Sequence, residues 1–274
     1  MSELRAENFR SLRDVTLPLG PVNVLVGPNC AGKTNVLKVF DFLADIVRTD
    51  LEPALDARGG FDSLVFRGGA ERPWNILIGL KGAWSSAGDG LVDECVLRIS
   101  DPPLAKEEIF KSAGVRNRFH TIIVQGANAA VQDEPQNSGG FETESEFPPL
   151  GMHTAEPVRR KFGIQPLSSG LSTLPRLAEK KFSAAPALVA DMLRSFRVFD
   201  VDVSRAIMPS RVPHGKVEPL ADNASNLAGF LLWLHQNDEE AWERLQDDAM
   251  GCSHNWRRLI STIRSAGRVR SSSY

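Results

Sequence analysis

The sequence predicts an α/β protein with a mixed, β-rich N-terminal lobe and a helical segment after it. Three observations carry this. A β-branched run, Val22-Asn23-Val24-Leu25-Val26, leads through a turn of Gly, Pro and Asn into an apolar series at helical spacing. Residues 50–125 alternate short apolar runs with the glycine pairs Gly59-Gly60 and Gly68-Gly69. Beyond about residue 176, apolar residues recur three and four positions apart.

In chain order, Glu3 to Phe9 reads as a strand, and Leu12, Val15 and Leu17 continue it as a hairpin. Pro21 opens the run Val22–Val26, whose composition predicts a buried strand. From Thr34 onward, Val36, Leu37, Val39, Phe40, Leu43, Ile46 and Val47 define a helix. Trp74 to Leu80, Leu91 to Ile99 and Thr121 to Val124 read as further strands. Residues 126–150 are rich in Gly, Pro, Asn and Ser; six acids and no Lys or Arg fall between residues 119 and 158, so this stretch reads as a mobile acidic loop. Pro186 is expected in the first turn of a helix carrying Leu188, Val189, Met192, Leu193 and Phe196. Asn223 or Ser225 is expected to cap a helix burying Leu227, Phe230, Leu231 and Leu234, and Asp238 another with Trp242 and Leu245 inward. Residues 1–175 thus form the N-terminal lobe, 176–250 a helical subdomain, and 251–274 a basic tail expected to be disordered.

With 32 Lys+Arg against 34 Asp+Glu, the net charge is −2, which argues against binding to nucleic acid through bulk charge and leaves a local basic patch open. Three cysteines (Cys30, Cys95 and Cys252) at long spacings exclude a disulfide framework and a Cys-x-x-Cys zinc site. The N-terminus has no apolar signal core, and the longest apolar run, Leu227 to Leu234, covers eight residues against the ~20 a bilayer needs. The expectation is a cytoplasmic protein with no membrane contact.

Gly27-Pro28-Asn29-Cys30-Ala31-Gly32-Lys33-Thr34 matches G-x-x-x-x-G-K-[ST] at every position. Such a loop wraps a phosphate with successive backbone N–H groups, which is why glycine stands at both ends. It feeds a helix N-terminus, whose unpaired N–H groups and dipole favour an anion. Lys33 is placed for the β- and γ-phosphates, and the Thr34 hydroxyl for Mg²⁺. ATP with magnesium is therefore the expected ligand. A redox or alkylation role for Cys30 is weighed against the thiol being incidental.

The segments Glu7-Asn8-Phe9-Arg10-Ser11-Leu12, Val22 to Asn29 and Gly32-Lys33-Thr34-Asn35-Val36-Leu37 resemble the N-terminal lobe of ABC-type ATPases, in particular the RecF, SMC and OLD-like group of predicted AAA ATPases. Gly60 to Gly68, Phe199 to Asp202 and Asp222 to Ala228 resemble the same group more weakly. The resemblance implies a P-loop NTPase head in which two heads sandwich two ATP molecules. Each ATP would be held by one phosphate loop and the partner's signature loop. It places Arg10, Ser11 and Asn35 at the nucleotide, and Arg67 in a loop near the active site. It implies DNA repair, chromosome maintenance or phage defence, with DNA a partner by analogy alone. Cys30 departs from the Gly or Asn usual at its position.

A complete head of this kind also needs four apolar residues ending in Asp-Glu, a Leu-Ser-Gly-Gly-like loop and a switch histidine. Leu167-Ser168-Ser169-Gly170 resembles the signature, and Ala187-Leu188-Val189-Ala190-Asp191 gives the apolar run and an Asp. Met192 stands where the Glu is required, however, and Pro186 with helical spacing argues against a strand there. Phe196 to Asp200 is interrupted by Arg197. None of His120, His153, His214, His235 and His254 fits the switch. The expectation is a head lacking its C-terminal lobe, weakly or non-hydrolytic alone, from a truncated or frameshifted gene or one part of a split enzyme. It would act as a head-to-head homodimer or with a chain supplying the second lobe. The alternatives are a complete ATPase with divergent signature and acidic strand, and a non-catalytic module stabilised by nucleotide. Asp56-Ala57-Arg58-Gly59 without a base-reading Asn-Lys-x-Asp disfavours a GTPase, and the lack of G-x-S-x-G disfavours a serine hydrolase.

Overall fold

Strand β1 (Glu3–Phe9) turns tightly through Arg10 and Ser11 into β2 (Leu12–Pro18), with Leu4 opposite Leu17 and Ala6 opposite Val15, as the alternation predicts. The computed structural model describes residues 1–85, 92–113, 118–135, 160–177, 180–211 and 219–252. Helices α1 (Lys33–Arg48), α2 (Leu51–Asp56) and α3 (Phe61–Leu64) follow the hairpin. Then come β3 (Asn75–Gly82), β4 (Asp93–Ser100), β5 (Ala105–Ala113), β6 (Arg118–Gln125), β7 (Asn128–Pro135) and β8 (Arg160–Gly163). The eight strands form one antiparallel sheet in the order β2-β1-β3-β4-β5-β6-β7-β8. After β8 come α4 (Gly170–Thr173), a 3₁₀ turn (Leu174–Arg176), α5 (Lys180–Arg194), α6 (Val203–Ala206), α7 (Leu227–Asn237) and α8 (Glu239–Cys252).

The chain divides into two compact units, Met1–Phe196 and a second beginning at Arg197. In the first, one face of the sheet carries Leu4, Ile78, Leu97, Phe110, Ile122 and Val131 against Val39, Phe40, Leu43 and Ile46 of α1. Each such side chain contributes ~1.5–3 kcal/mol by leaving water. Arg48 ties the end of α1 to the end of α5 by donating to the carbonyls of Arg194 and Phe196 (3.3 and 2.8 Å). The opposite face of the sheet holds ion pairs, Arg5 with Glu7 and Arg98 with Glu107.

The structure differs from the sequence reading at several places. Val22–Val26 is neither a strand nor buried: Val22, Val24 and Val26 are 83, 79 and 89% exposed. β-branched composition specifies an extended, packable segment, but the run pairs with no strand among the described residues. The expected acidic loop at 126–150 begins instead as β7, entered through the tight turn Gly126-Ala127, with Ala129 and Val131 in the core. Its Asn, Gln and Asp content masked the alternation, and residues 136–150 lie outside the described residues. Pro186 sits inside α5, seven residues in, rather than in its first turn. Val189, Ala190 and Leu193 of α5 join the core of the first unit, so the helical part expected from residue 176 starts with a helix of the N-terminal unit.

In the second unit, Asn226 rather than Asn223 or Ser225 stands at the N-cap of α7, and Gly229 is its only buried residue. Leu227, Phe230, Leu231 and Leu234 are half-buried, since α7 is apolar nearly all round while only one flank meets α8. Asp238 caps α8 as expected, accepting from the Ala241 N–H (3.0 Å), and Trp242 is buried against the His235 ring. The basic tail from residue 253, with His254, lies outside the described residues, as do His153 and His214.

Candidate functional site

Residues Gly27–Gly32 form an exposed turn that enters α1 through Gly32, which adopts φ 91°, the left-handed region. A β-carbon there would stand 3.0 Å from Ser11 Oγ and 3.1 Å from Leu12 Cδ2, so both the dihedral and the space call for glycine. As the N-cap of α1, Gly32 brings no capping side chain. The amides of Asn35 and Val36 turn back to the Gly32 carbonyl (2.8 and 3.1 Å). Those of Gly32, Lys33 and Thr34 are taken by no acceptor among the described residues. No acid stands in the first turn of α1 to compete for them.

The Lys33 ammonium arches back over the loop, donating to the carbonyls of Gly27 (2.8 Å) and Pro28 (2.7 Å). Thr34 is exposed at the second helical position, with its hydroxyl beside those amides in sequence. Three open N–H groups, the positive end of a 16-residue helix and one ammonium on a loop without a carboxylate fit a phosphate chain. The residues present therefore suit ATP, with Thr34 the group that would hold magnesium.

The structure places the other expected residues unequally. Ser11 reaches the site, accepting from Asn35 Nδ2 at 2.7 Å. Arg10 is half-buried, and its backbone N–H donates to the Leu64 carbonyl (2.6 Å). Arg67 is turned onto the Asp62 carbonyl (3.2 and 2.6 Å). No described contact joins the Arg10 or Arg67 side chain to the loop. Cys30 lies exposed in the loop at φ 66°, whereas Cys95 is buried in β4, where burial and then the Glu108 charge push its thiol pKa up.

Leu167-Ser168-Ser169-Gly170 is not an exposed signature loop. Ser169 is fully buried and caps α4 by accepting from the Leu171 N–H (3.0 Å). Glu108 of β5 accepts from Ser169 Oγ and from the Gly170 N–H. A β-carbon on Gly170 would fall 2.6 Å from that carboxylate and 2.8 Å from Phe110, so glycine permits the close approach. Asp50, between α1 and α2, accepts from Ser168 Oγ (2.6 Å), the Ser169 N–H (2.7 Å), Ser172 Oγ (2.7 Å) and the Leu51 N–H (2.8 Å). Burial alone pushes the Asp50 carboxyl up, but the four donors outweigh it and hold the pKa below its ordinary value. Lys106 Nζ lies 3.7 Å from Glu108, with both side chains shut away from solvent. Burial pulls the lysine down and the glutamate up in pKa.

Asp191 lies on exposed helix surface in α5, paired with Arg194 at 2.5 Å, and Phe196–Asp200 forms no strand. His120 lies within β6 rather than ahead of a strand. Asp50, Lys106 and Glu108 escaped sequence reading because Lys106-Glu107-Glu108 looks like a solvated charge run, although its alternation with Ile109 and Phe110 is that of a strand.

This geometry agrees with the comparisons to known proteins. Residues 1–63 match the AAA ATPase domain family, a stretch that holds the hairpin β1–β2, the whole phosphate loop and α1. Over 55 residues the chain is 46% identical to the OLD nuclease of Thermus scotoductus (strain ATCC 700910 / SA-01). That stretch is 20% of this chain and 10% of the relative, so the chain matches about a tenth of the relative's length. The N-terminal segment is thus similar to the start of an AAA ATPase domain and of an OLD nuclease, consistent with the N-terminal part of such an ATPase. No helix among the described residues is long and apolar enough to cross a membrane.

Proposed function

We propose that the N-terminal unit binds Mg·ATP on Gly27–Thr34 as the nucleotide-binding part of an ATPase head. The observation that carries the reading is the uncapped N-terminus of α1: three open amides and Lys33 on one acid-free loop. In this reading, Pro28, Asn29, Cys30 and Ala31 line the phosphate, and Thr34 holds Mg²⁺. Arg10 belongs to the nucleotide's surroundings by resemblance.

Hydrolysis by this chain alone is expected to be slow. Among the described residues, no acid stands at the end of a strand beside the loop to polarise water, and the Leu-Ser-Ser-Gly segment is locked inside the first unit. The exposed Val22–Val26 run supports the reading that the loop-bearing segment pairs with strands beyond those described, in a second lobe from the same gene or another chain. A head-to-head dimer, and DNA as partner in repair or phage defence, rest on the resemblance.

The test is equilibrium binding of Mg·ATP to the full chain beside Lys33→Ala. Loss of a charged donor to phosphate predicts about tenfold to hundredfold weaker binding, with an unchanged thermal melt because Lys33 bonds only its own exposed loop. A folded wild-type chain that binds no nucleotide sinks the reading. Fast turnover abolished by Asp191→Asn would favour the complete-ATPase alternative.

A further inference from the structure

The hydrogen bond from Asn35 to Ser11 joins positions 24 residues apart, the turn of the β1–β2 hairpin and the first turn of α1. We propose that these two residues are a positioning pair. They brace the hairpin turn against the helix so that the Gly32, Lys33 and Thr34 amides keep their aim, and they do not hold nucleotide themselves. The proposal deepens, and rests on, the Mg·ATP reading.

Three observations support it. First, Ser11 is a fixed point. Leu12 beside it and Phe9 two positions before it are buried, Arg10 N–H donates to the Leu64 carbonyl (2.6 Å), and Phe66 N–H donates to the Asn8 carbonyl (2.8 Å). Asn8 and Arg10 both take left-handed backbone (φ 55° and 53°), so the turn is held in one shape from both sides. A hydrogen bond to so constrained an anchor transmits position, unlike one between two mobile surface chains.

Second, the contact is continuous with the loop. Ser11 Oγ would be 3.0 Å from a Gly32 β-carbon, so the hydroxyl rests on the left-handed residue that steers the chain into α1. Third, Asn35 is the third residue of α1 after the Gly32 cap, the position from which a polar side chain can fold back onto the cap amide. Its bond to Ser11 draws the side chain outward and leaves the Gly32 amide to a ligand.

The test is a double-mutant cycle with two readouts: Ser11→Ala, Asn35→Ala, the double variant, and Ser11→Thr, which keeps the hydroxyl. Amide hydrogen exchange is followed at Asn35 and Val36, whose N–H groups close onto Gly32 in the nucleotide-free chain. A fluorescent Mg·ADP analogue gives the Kd. One such hydrogen bond predicts exchange faster, and binding weaker, by about threefold to tenfold in each alanine variant. The double variant should be no worse than either single one, Ser11→Thr should restore both readouts, and the thermal melt should stay put. Alanine effects that multiply, or binding that survives both alanine variants unchanged, overturn the proposal. A wild-type chain that binds no nucleotide overturns instead the reading beneath it, which the Lys33→Ala control identifies separately.

Discussion

Two helix N-termini in the first unit are built from similar residues and end differently. At α1, a Gly-rich turn leads to a glycine cap, with Lys33 overhead and the amides open. At α4, Ser-Ser-Gly leads to a serine cap, and the chain's own Glu108 takes the Gly170 amide, with Lys106 buried alongside. Both present donors and a nearby ammonium, which is the composition that suits an anion. In α4 the anion is a side chain of β5, so that terminus is structural. In α1 no anion is provided among the described residues, so one from outside fits. Ligand chemistry here depends on whether the fold fills its own donors, and no local motif reports that.

The contrast breaks most sharply at Glu108. Glu108→Ala leaves Lys106 buried without its carboxylate partner and opens both Ser169 and Gly170, which predicts a loss of about 3–5 kcal/mol, read as a lower urea midpoint. Lys33→Ala at the other terminus should leave that midpoint alone. If both variants melt as wild type, the two ends are not different in kind.

Acid sharpens the same contrast at smaller scale. The folded pKa of Asp50 is depressed, so its stabilisation is fully present above the ordinary carboxyl value of 3.8 and is lost as pH falls through the lower folded value. Asp50→Asn should therefore flatten the acid limb of the stability profile below about that pH, as followed by circular dichroism. An unchanged acid limb would show that the serine cluster does not favour the ionised form. The smallest effect is expected at the exposed run before the phosphate loop. Val24→Lys should change the melting midpoint of the first unit by no more than about 0.5 kcal/mol equivalent, because Val24 buries little. A large loss would mean that the run is packed after all.

Local patterns in the sequence reported their elements where one rule governed them. The hairpin β1–β2 follows from strict alternation around Leu4 and Ala6, and α1 from apolar residues on one face. The phosphate loop is legible because its chemistry is local: glycine at a left-handed position, then Lys and Thr at the helix start. Legibility ended where distant residues decide. Burial of Val22–Val26 needs a neighbouring strand, which composition cannot supply. The bond between Ser11 and Asn35 needs the hairpin folded against α1. Glu108 reads as surface until β5 turns it inward opposite Leu97. Leu-Ser-Ser-Gly was the instructive case, since its serines serve Asp50 across 118 and more positions of chain.

The two cysteines with described side chains differ in a way that can be used at the bench. Cys95 is sealed in the core as a thiol that resists ionisation, while Cys30 stands in solvent within the phosphate loop. A maleimide reagent therefore discriminates between them by access alone. Cys30 is thus an attachment point for a dye or spin label on the loop where ligand chemistry is expected.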